Sequence, residues 1–299
     1  LSQEFSDRQA LEAAQSCQVD ATLGCRQLPS TNKNEPFIFL HLQRTAGTST
    51  QSMLRHAFGD SCVYSEHDDT LPWRSVAELG RYSLLMGHFN FDTLACIPGK
   101  RLRVFTFVRR PKDRLLSLYR FWRSHEANAP SYHEGMALAK SENLNAFLTH
   151  PLVWRRHDIW NHMTWGIMGH IQWLEWQTHL TEINASERGT FLRLCRRAIK
   201  KRLNEFVFVG IHEEFARSCA LLFKILGRAL PPITHEHSVE LLSRRHAFIT
   251  VQPQVSWSLP ARRAAANLTI LDDIVWDEAR NRFNLLTQET WHLTSPRLQ

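Results

Sequence analysis

The chain has 299 residues, 43% hydrophobic and 22% charged, enough to bury the core of one large domain and ordinary for a globular protein. No run approaches the roughly 18 apolar residues of a membrane span, no signal peptide is visible, and the basic residues form short pairs without a nucleic-acid motif. A net charge of +7 favours an anionic ligand such as a nucleotide, a phosphate or an acidic polysaccharide.

Residues 1–35 are polar and read as a stem or linker with room for a short helix, and residues 36–299 read as one domain. A start at Leu1 rather than Met leads us to expect an upstream segment, which could carry an anchor. The first strand is predicted at Phe37–Leu42 and the first helix at Ser49–Ala57. Between them "QRTAGTST" holds Arg44, Thr45, Ala46, Gly47, Thr48 and Ser49. A strand–loop–helix of this composition aims backbone N–H groups and a helix N-terminus at an anion. From these residues alone, an ordinary turn with a Ser/Thr helix cap stays open.

A second apolar run, Ser83–Phe89, ends in Gly87-His88, and a third, Val104–Val108, in Arg109-Arg110. Pro111 suits the first turn of a helix over Pro111–Arg123, whose apolar stripe is Leu115, Leu116, Tyr119 and Trp122. Ser117 lies off that stripe and can face the same crevice as Arg109, where an arginine fork and a hydroxyl would clamp phosphate. Taken singly, Arg109 also fits a surface ion pair and His88 a structural strand end.

Further helices are predicted at Asn143–Leu148, Asp158–Leu180, Thr190–Leu203, Glu213–Leu226 and Asn267–Leu286, with a last strand at Phe206–Ile211. The segment 154–179 carries Trp154, Trp160, Trp165, Trp173 and Trp176 among four histidines. It reads either as a sugar-stacking wall or as a helix packed into the core. Alternation of strands and helices argues for an α/β fold, a parallel sheet flanked by helices. The six cysteines lack a C-x-x-C pair and the histidines lack H-E-x-x-H spacing, so no metal site is expected; His235 and His237 read as loop residues. Six cysteines fit either disulfides in a secretory lumen or reduced thiols.

Three stretches together resemble the Golgi-type carbohydrate sulfotransferases, the group that includes the heparan sulfate 2-O- and 6-O-sulfotransferases. "FLHLQRTAGTST" looks like their 5′-phosphosulfate loop, commonly H-I-P-K-T-G-G-T-S. "FTFVRRPKDRLLSLYRF" looks like their 3′-phosphate motif, F-V-R-x-P-x-x-R-x-x-S, and "MGHFNF" like the G-H-x-x-F segment that carries the base. Weaker echoes follow in "FVFVGIHEEF", similar to V-G-x-x-E-x-F, and in "LTILDDIVWDEARNRF".

The resemblance implies a P-loop-like sulfotransferase fold and a co-substrate, 3′-phosphoadenosine 5′-phosphosulfate, without a metal. It implies a carbohydrate acceptor, with Arg44 through Ser49 on the phosphosulfate, Arg109 and Ser117 on the 3′-phosphate, and His88 as catalytic base. Arg44 stands where the family has lysine, keeping the charge but unable to yield a proton at neutral pH. Ala46 replaces the first glycine of the pair. The resemblance also implies a Golgi-lumen location behind an upstream anchor; a bacterial, cytoplasmic enzyme is the alternative. Two rivals share the pattern: a P-loop kinase, which needs G-x-x-x-x-G-K-[ST], and a catalytically inactive glycan- or nucleotide-binding protein.

Overall fold

The computed structural model describes residues 35–66, 70–99, 101–233, 243–244, 247–251 and 255–294, the last six as backbone. Residues 1–34, with Cys17 and Cys25, and His67, His235 and His237 lie outside them. Five strands form one sheet: β1 (Phe37–Leu40), β2 (Val63–Ser65), β3 (Leu84–Gly87), β4 (Arg103–Val108) and β5 (Phe208–Ile211). The order is β2-β3-β1-β4-β5, and every pair is parallel. This is the α/β fold with a helix-flanked parallel sheet that the alternation predicts. All four residues of β1, Phe-Ile-Phe-Leu, are buried, as expected of a strand covered on both faces. The three-residue edge strand β2 was not expected, because so short a run carries no readable period.

The early helices are α1 (Gly47–Phe58), α2 (Val76–Leu79), α3 (Pro111–Arg123), α4 (Glu134–Ser141) and α5 (Leu144–Thr149). After them come α6 (His162–Met168), α7 (His170–Glu182), α8 (Ala185–Glu205), α9 (Phe215–Leu226), α10 (Leu259–Leu268) and α11 (Ile270–Thr294). The main core lies around the sheet, and a second apolar cluster joins α3, α4, α5 and α10 to Trp160, Trp165 and Trp173.

The single helix expected over Asp158–Leu180 is instead a turn and two helices. Gly169 breaks it with φ at 94°, and a Cβ there would lie 2.2 Å from Asp92 Oδ1. Asp92 takes over the new helix end, its Oδ2 accepting from the Ile171 N–H at 3.1 Å. The helix expected over Asn267–Leu286 is likewise split between α10 and α11. Here the start of α11 and the start of α6 cap each other. Asn161, left-handed at φ 47°, accepts from the N–H groups of Leu271 and Asp272 through Oδ1 (2.9 and 3.2 Å). The Asp272 carboxylate in return accepts from Met163 N–H (3.2 Å), Thr164 N–H (2.8 Å) and the Thr164 hydroxyl (2.9 Å).

Candidate functional site

In a parallel sheet all strand C-termini open on one edge, and the loops flanking the strand where the chain reverses direction meet there. Here that strand is β1, with β3 on one side and β4 on the other. Register sets Leu40 beside Gly87, and the His41 N–H donates to the Gly87 carbonyl at 2.8 Å. Thr106, on the opposite neighbour, donates its hydroxyl to the Leu40 carbonyl at 2.7 Å. The loop after β1, His88 after β3 and Arg109 after β4 are therefore brought to one edge by topology.

The loop itself is tightly wound. Arg44 and Ala46 are left-handed, with φ of 66° and 72°. Such backbone costs a residue with a Cβ roughly 1 kcal/mol or more, and it persists only where surroundings enforce it. Ala46 stands where the resembled motif has glycine, so the substitution adds strain to what composition alone presents as a small change in size. Ala46 is also the residue before α1 and supplies no side-chain cap, which overturns the Ser/Thr-cap alternative. A helix N-terminus without a side-chain cap is the end of the macrodipole that favours an anion. Gly47 has no room for a side chain: a Cβ would fall 1.5 Å from Nε2 of His41. Thr45 is fully buried with its hydroxyl donated to the Leu42 carbonyl at 2.7 Å, so it offers the pocket backbone rather than a side chain.

Three arginines gather beside this loop. Arg44 Nε donates to Ser117 Oγ at 3.1 Å, and its guanidinium carbon lies 4.4 Å from the centre of the Phe121 ring. Arg109 Nη1 donates to the Arg44 carbonyl at 3.2 Å. Arg114 is wholly buried, its Nη2 on the carbonyls of Asp158 (3.2 Å) and Ile159 (3.3 Å). Burial, with Arg109 and Arg114 adding repulsion, lowers Arg44 to about 10; it remains a cation at neutral pH. Burial lowers Arg114 to about 10 as well, against the pull of Asp272 and Asp158. Arg109 is lowered by burial and partly restored by Asp113 and Glu213. Such clustered, partly desolvated cations favour a polyanionic ligand. Arg109 and Ser117 both meet Arg44, the first at its carbonyl and the second at its Nε. Glu213, in the stretch similar to V-G-x-x-E-x-F, fixes the same corner by accepting from the Arg110 N–H at 2.7 Å.

Across the loop stands His88, partly exposed, its ring centre 4.6 Å from that of His41. His41 in turn stacks on Phe39, 5.5 Å between centroids at 12°. Glu66, another carboxylate near this edge, accepts from the Tyr64 hydroxyl at 2.6 Å and from the Thr70 N–H at 2.9 Å. It is committed to the loop after β2.

Sequence reasoning gave His162 no role beyond a polar position on a helix. In the structure it is buried, accepts the Gln43 N–H at Nε2 (3.1 Å) and reaches the His157 carbonyl with Nδ1 (3.0 Å). Burial, with Arg114, pushes its pKa well below 6.5. A base depressed in this way takes up protons first in the unfolded chain. Its contribution to stability is therefore complete above about 6.5 and shrinks as pH falls below that. Asp273, raised to about 6 by burial and by Asp272, works in the opposite direction. The difference between wild type and His162→Phe isolates the histidine: their gap in thermal midpoint should narrow between pH 7.5 and pH 5. A gap independent of pH would refute the assignment of a buried neutral imidazole.

Four of the five tryptophans take the core reading rather than the sugar-stacking wall: Trp160, Trp165, Trp173 and Trp176 are buried, Trp173 Nε1 donates to the Trp160 carbonyl at 2.9 Å, and Trp154 is half-buried against the second cluster. Among the described residues no group of three His, Cys, Asp or Glu side chains could hold a metal ion, and no helix is long and apolar enough to cross a membrane. Cys96, Cys195 and Cys219 are free thiols, and burial raises Cys195 and Cys219 to about 12.

No protein-family model matches the sequence, and no curated protein matches it. Among solved structures the chain is similar to mouse sulfotransferase SULT7A1 complexed with PAP, at 14% identity, a TM-score of 0.41, and coverage of 84% of this chain and 89% of that one.

Proposed function

We propose that the chain transfers a sulfuryl group from 3′-phosphoadenosine 5′-phosphosulfate to a hydroxyl of a carbohydrate acceptor. The observation that carries the reading is the convergence at one sheet edge. A helix N-terminus without a side-chain cap, with Arg44, Arg109 and Ser117 on one side, faces an accessible imidazole, His88, on the other. The cationic side suits the two phosphates of the donor. In the proposed step His88 takes the acceptor hydroxyl proton as the new S–O bond forms. The S–O bond to the 5′-phosphate breaks, and its electrons stay on the leaving bisphosphate, where Arg44 offsets the charge.

The sequence resemblance supports the carbohydrate class of acceptor and a lumenal setting. A kinase reading is disfavoured by Thr48 after Gly47, where a P-loop has lysine, and by Arg109-Arg110 at the strand end. Turnover of labelled donor against uronic-acid, hexosamine and galactose polymers separates an enzyme from an inactive binder.

Donor recognition is tested by calorimetry with adenosine 3′,5′-bisphosphate and no added magnesium. Wild type should bind in the micromolar range, and Arg109→Ala should weaken binding at least roughly tenfold, since a charge-assisted fork contributes more than a neutral hydrogen bond. If Arg109→Ala and Ser117→Ala both bind like wild type, the 3′-phosphate assignment is wrong.

A further inference from the structure

We propose that His162 is a positioning residue for the donor loop: from the first turn of α6 it holds the Gln43 N–H and so fixes the entry into the strained Arg44–Ala46 turn. The inference rests on the donor assignment above.

The two partners of His162 define its tautomer. Gln43 N–H can only donate and the His157 carbonyl can only accept, so Nε2 bears the lone pair and Nδ1 the hydrogen. The imidazole is a neutral bridge between two backbone groups that lie far apart in sequence. Its own placement is rigid. Arg114 holds the carbonyls of Asp158 and Ile159 just before it, and Asp272 caps the helix that begins with it. One turn further on, α6 packs so closely on the loop that a Cβ at Gly166 would lie 2.3 Å from Leu42 Cδ2. Residues 158–166 thus form a strut that runs from the arginine helix α3 to the residues just before Arg44. Two left-handed residues with a Cβ need such enforcement, because nothing in their own preferences holds them there. Without the bridge, the turn should relax and its N–H groups lose their common aim. The cost falls on donor binding, because His162 touches no reacting atom in the proposed step.

Three variants separate this from simple packing. His162→Phe fills the volume and removes both bonds. His162→Gln places an amide oxygen near the position of Nε2 and can accept from Gln43. His162→Asn reaches the position of Nδ1 and can serve only His157. Two readouts are used: amide hydrogen exchange at Gln43–Gly47, and titration with adenosine 3′,5′-bisphosphate alongside donor KM and kcat.

For the Phe and Asn variants we expect exchange at Gln43 to quicken about tenfold, the size of one lost hydrogen bond, and donor KM to rise about tenfold. Turnover at saturating donor should stay within a factor of about three, and Gln should recover most of the loss. If Phe does not fold, the Gln and Asn pair decides. Wild-type exchange at Gln43 in the Asn variant, or a Gln variant no better than Asn, overturns the proposal. Failure of wild type to bind the bisphosphate would instead sink the functional reading, and exchange alone would then judge the loop contact.

Discussion

His88→Ala should lose roughly 10²- to 10⁴-fold in turnover while binding adenosine 3′,5′-bisphosphate much as wild type does. A sugar hydroxyl attacks poorly until its proton is removed, and the imidazole is the partly exposed base at the sheet edge facing the loop. The cationic groups assigned to the phosphates lie after β1 and β4, whereas His88 follows β3, so its loss should leave the donor's contacts standing. The base must be neutral to act. With a fixed acceptor, the rate should therefore be lost on acidification and reach a plateau in base. His88→Asn should fail to restore activity, because an amide keeps the outline but takes no proton. Near-wild-type turnover in either variant at pH 7.5, with saturating acceptor, would make His88 structural. Of the alternatives next in the sequence, Glu66 is bound to Tyr64 and Thr70, and His67 lies outside the described residues. The search would then move to His41, 4.6 Å away between ring centres.

The elements that read correctly are those whose signal is local. Phe37–Leu40, Leu84–Gly87, Arg103–Val108 and Phe208–Ile211 lie within or overlap continuous apolar runs, and each ends in residues that a strand interior would not choose. Parallel pairing then brings Arg44, His88 and Arg109 to one edge without further information. What could not be read depends on distant partners. His162 meets Gln43 across 119 positions, and Asn161 meets Leu271 across 110. The helical period of 158–180 gives no warning of its break, because the break comes from Gly169 at positive φ and from Asp92, a residue of another segment. The burial of the tryptophans was equally hidden. A stripe of indoles at helical spacing has the same appearance whether it faces a sugar or the second core cluster. Ala46 is an intermediate case: the motif shows a glycine replaced, but only the φ of 72° shows that the position demands left-handed backbone.

Arg44→Ala should lower turnover by two orders of magnitude or more, with bisphosphate affinity much less affected. Negative charge grows on the bridging oxygen as the S–O bond breaks, and a preorganised cation is worth most where charge develops. Arg44 is suited to that task by its surroundings. The charged groups that act on it are Arg109 and Arg114, and these, with burial, bring it down to about 10, still well above neutral pH. In the proposed step it therefore supplies fixed charge rather than a proton. Its direction is set by Ser117 at 3.1 Å and by the Phe121 ring at 4.4 Å. Removal of the side chain leaves Arg109 and the helix N-terminus to hold the phosphates, which is why binding should survive better than rate. Arg44→Lys keeps the charge as a single ammonium but loses the guanidinium fork and the flat face laid on Phe121. If charge is what the reaction needs, the lysine variant should keep much of the wild-type turnover, and Ser117→Ala should cost little in kcat. A lysine variant as inactive as alanine would assign the effect to the oriented fork. Equal loss of binding and turnover in Arg44→Ala would mean that the residue holds the donor and does not act on the leaving oxygen.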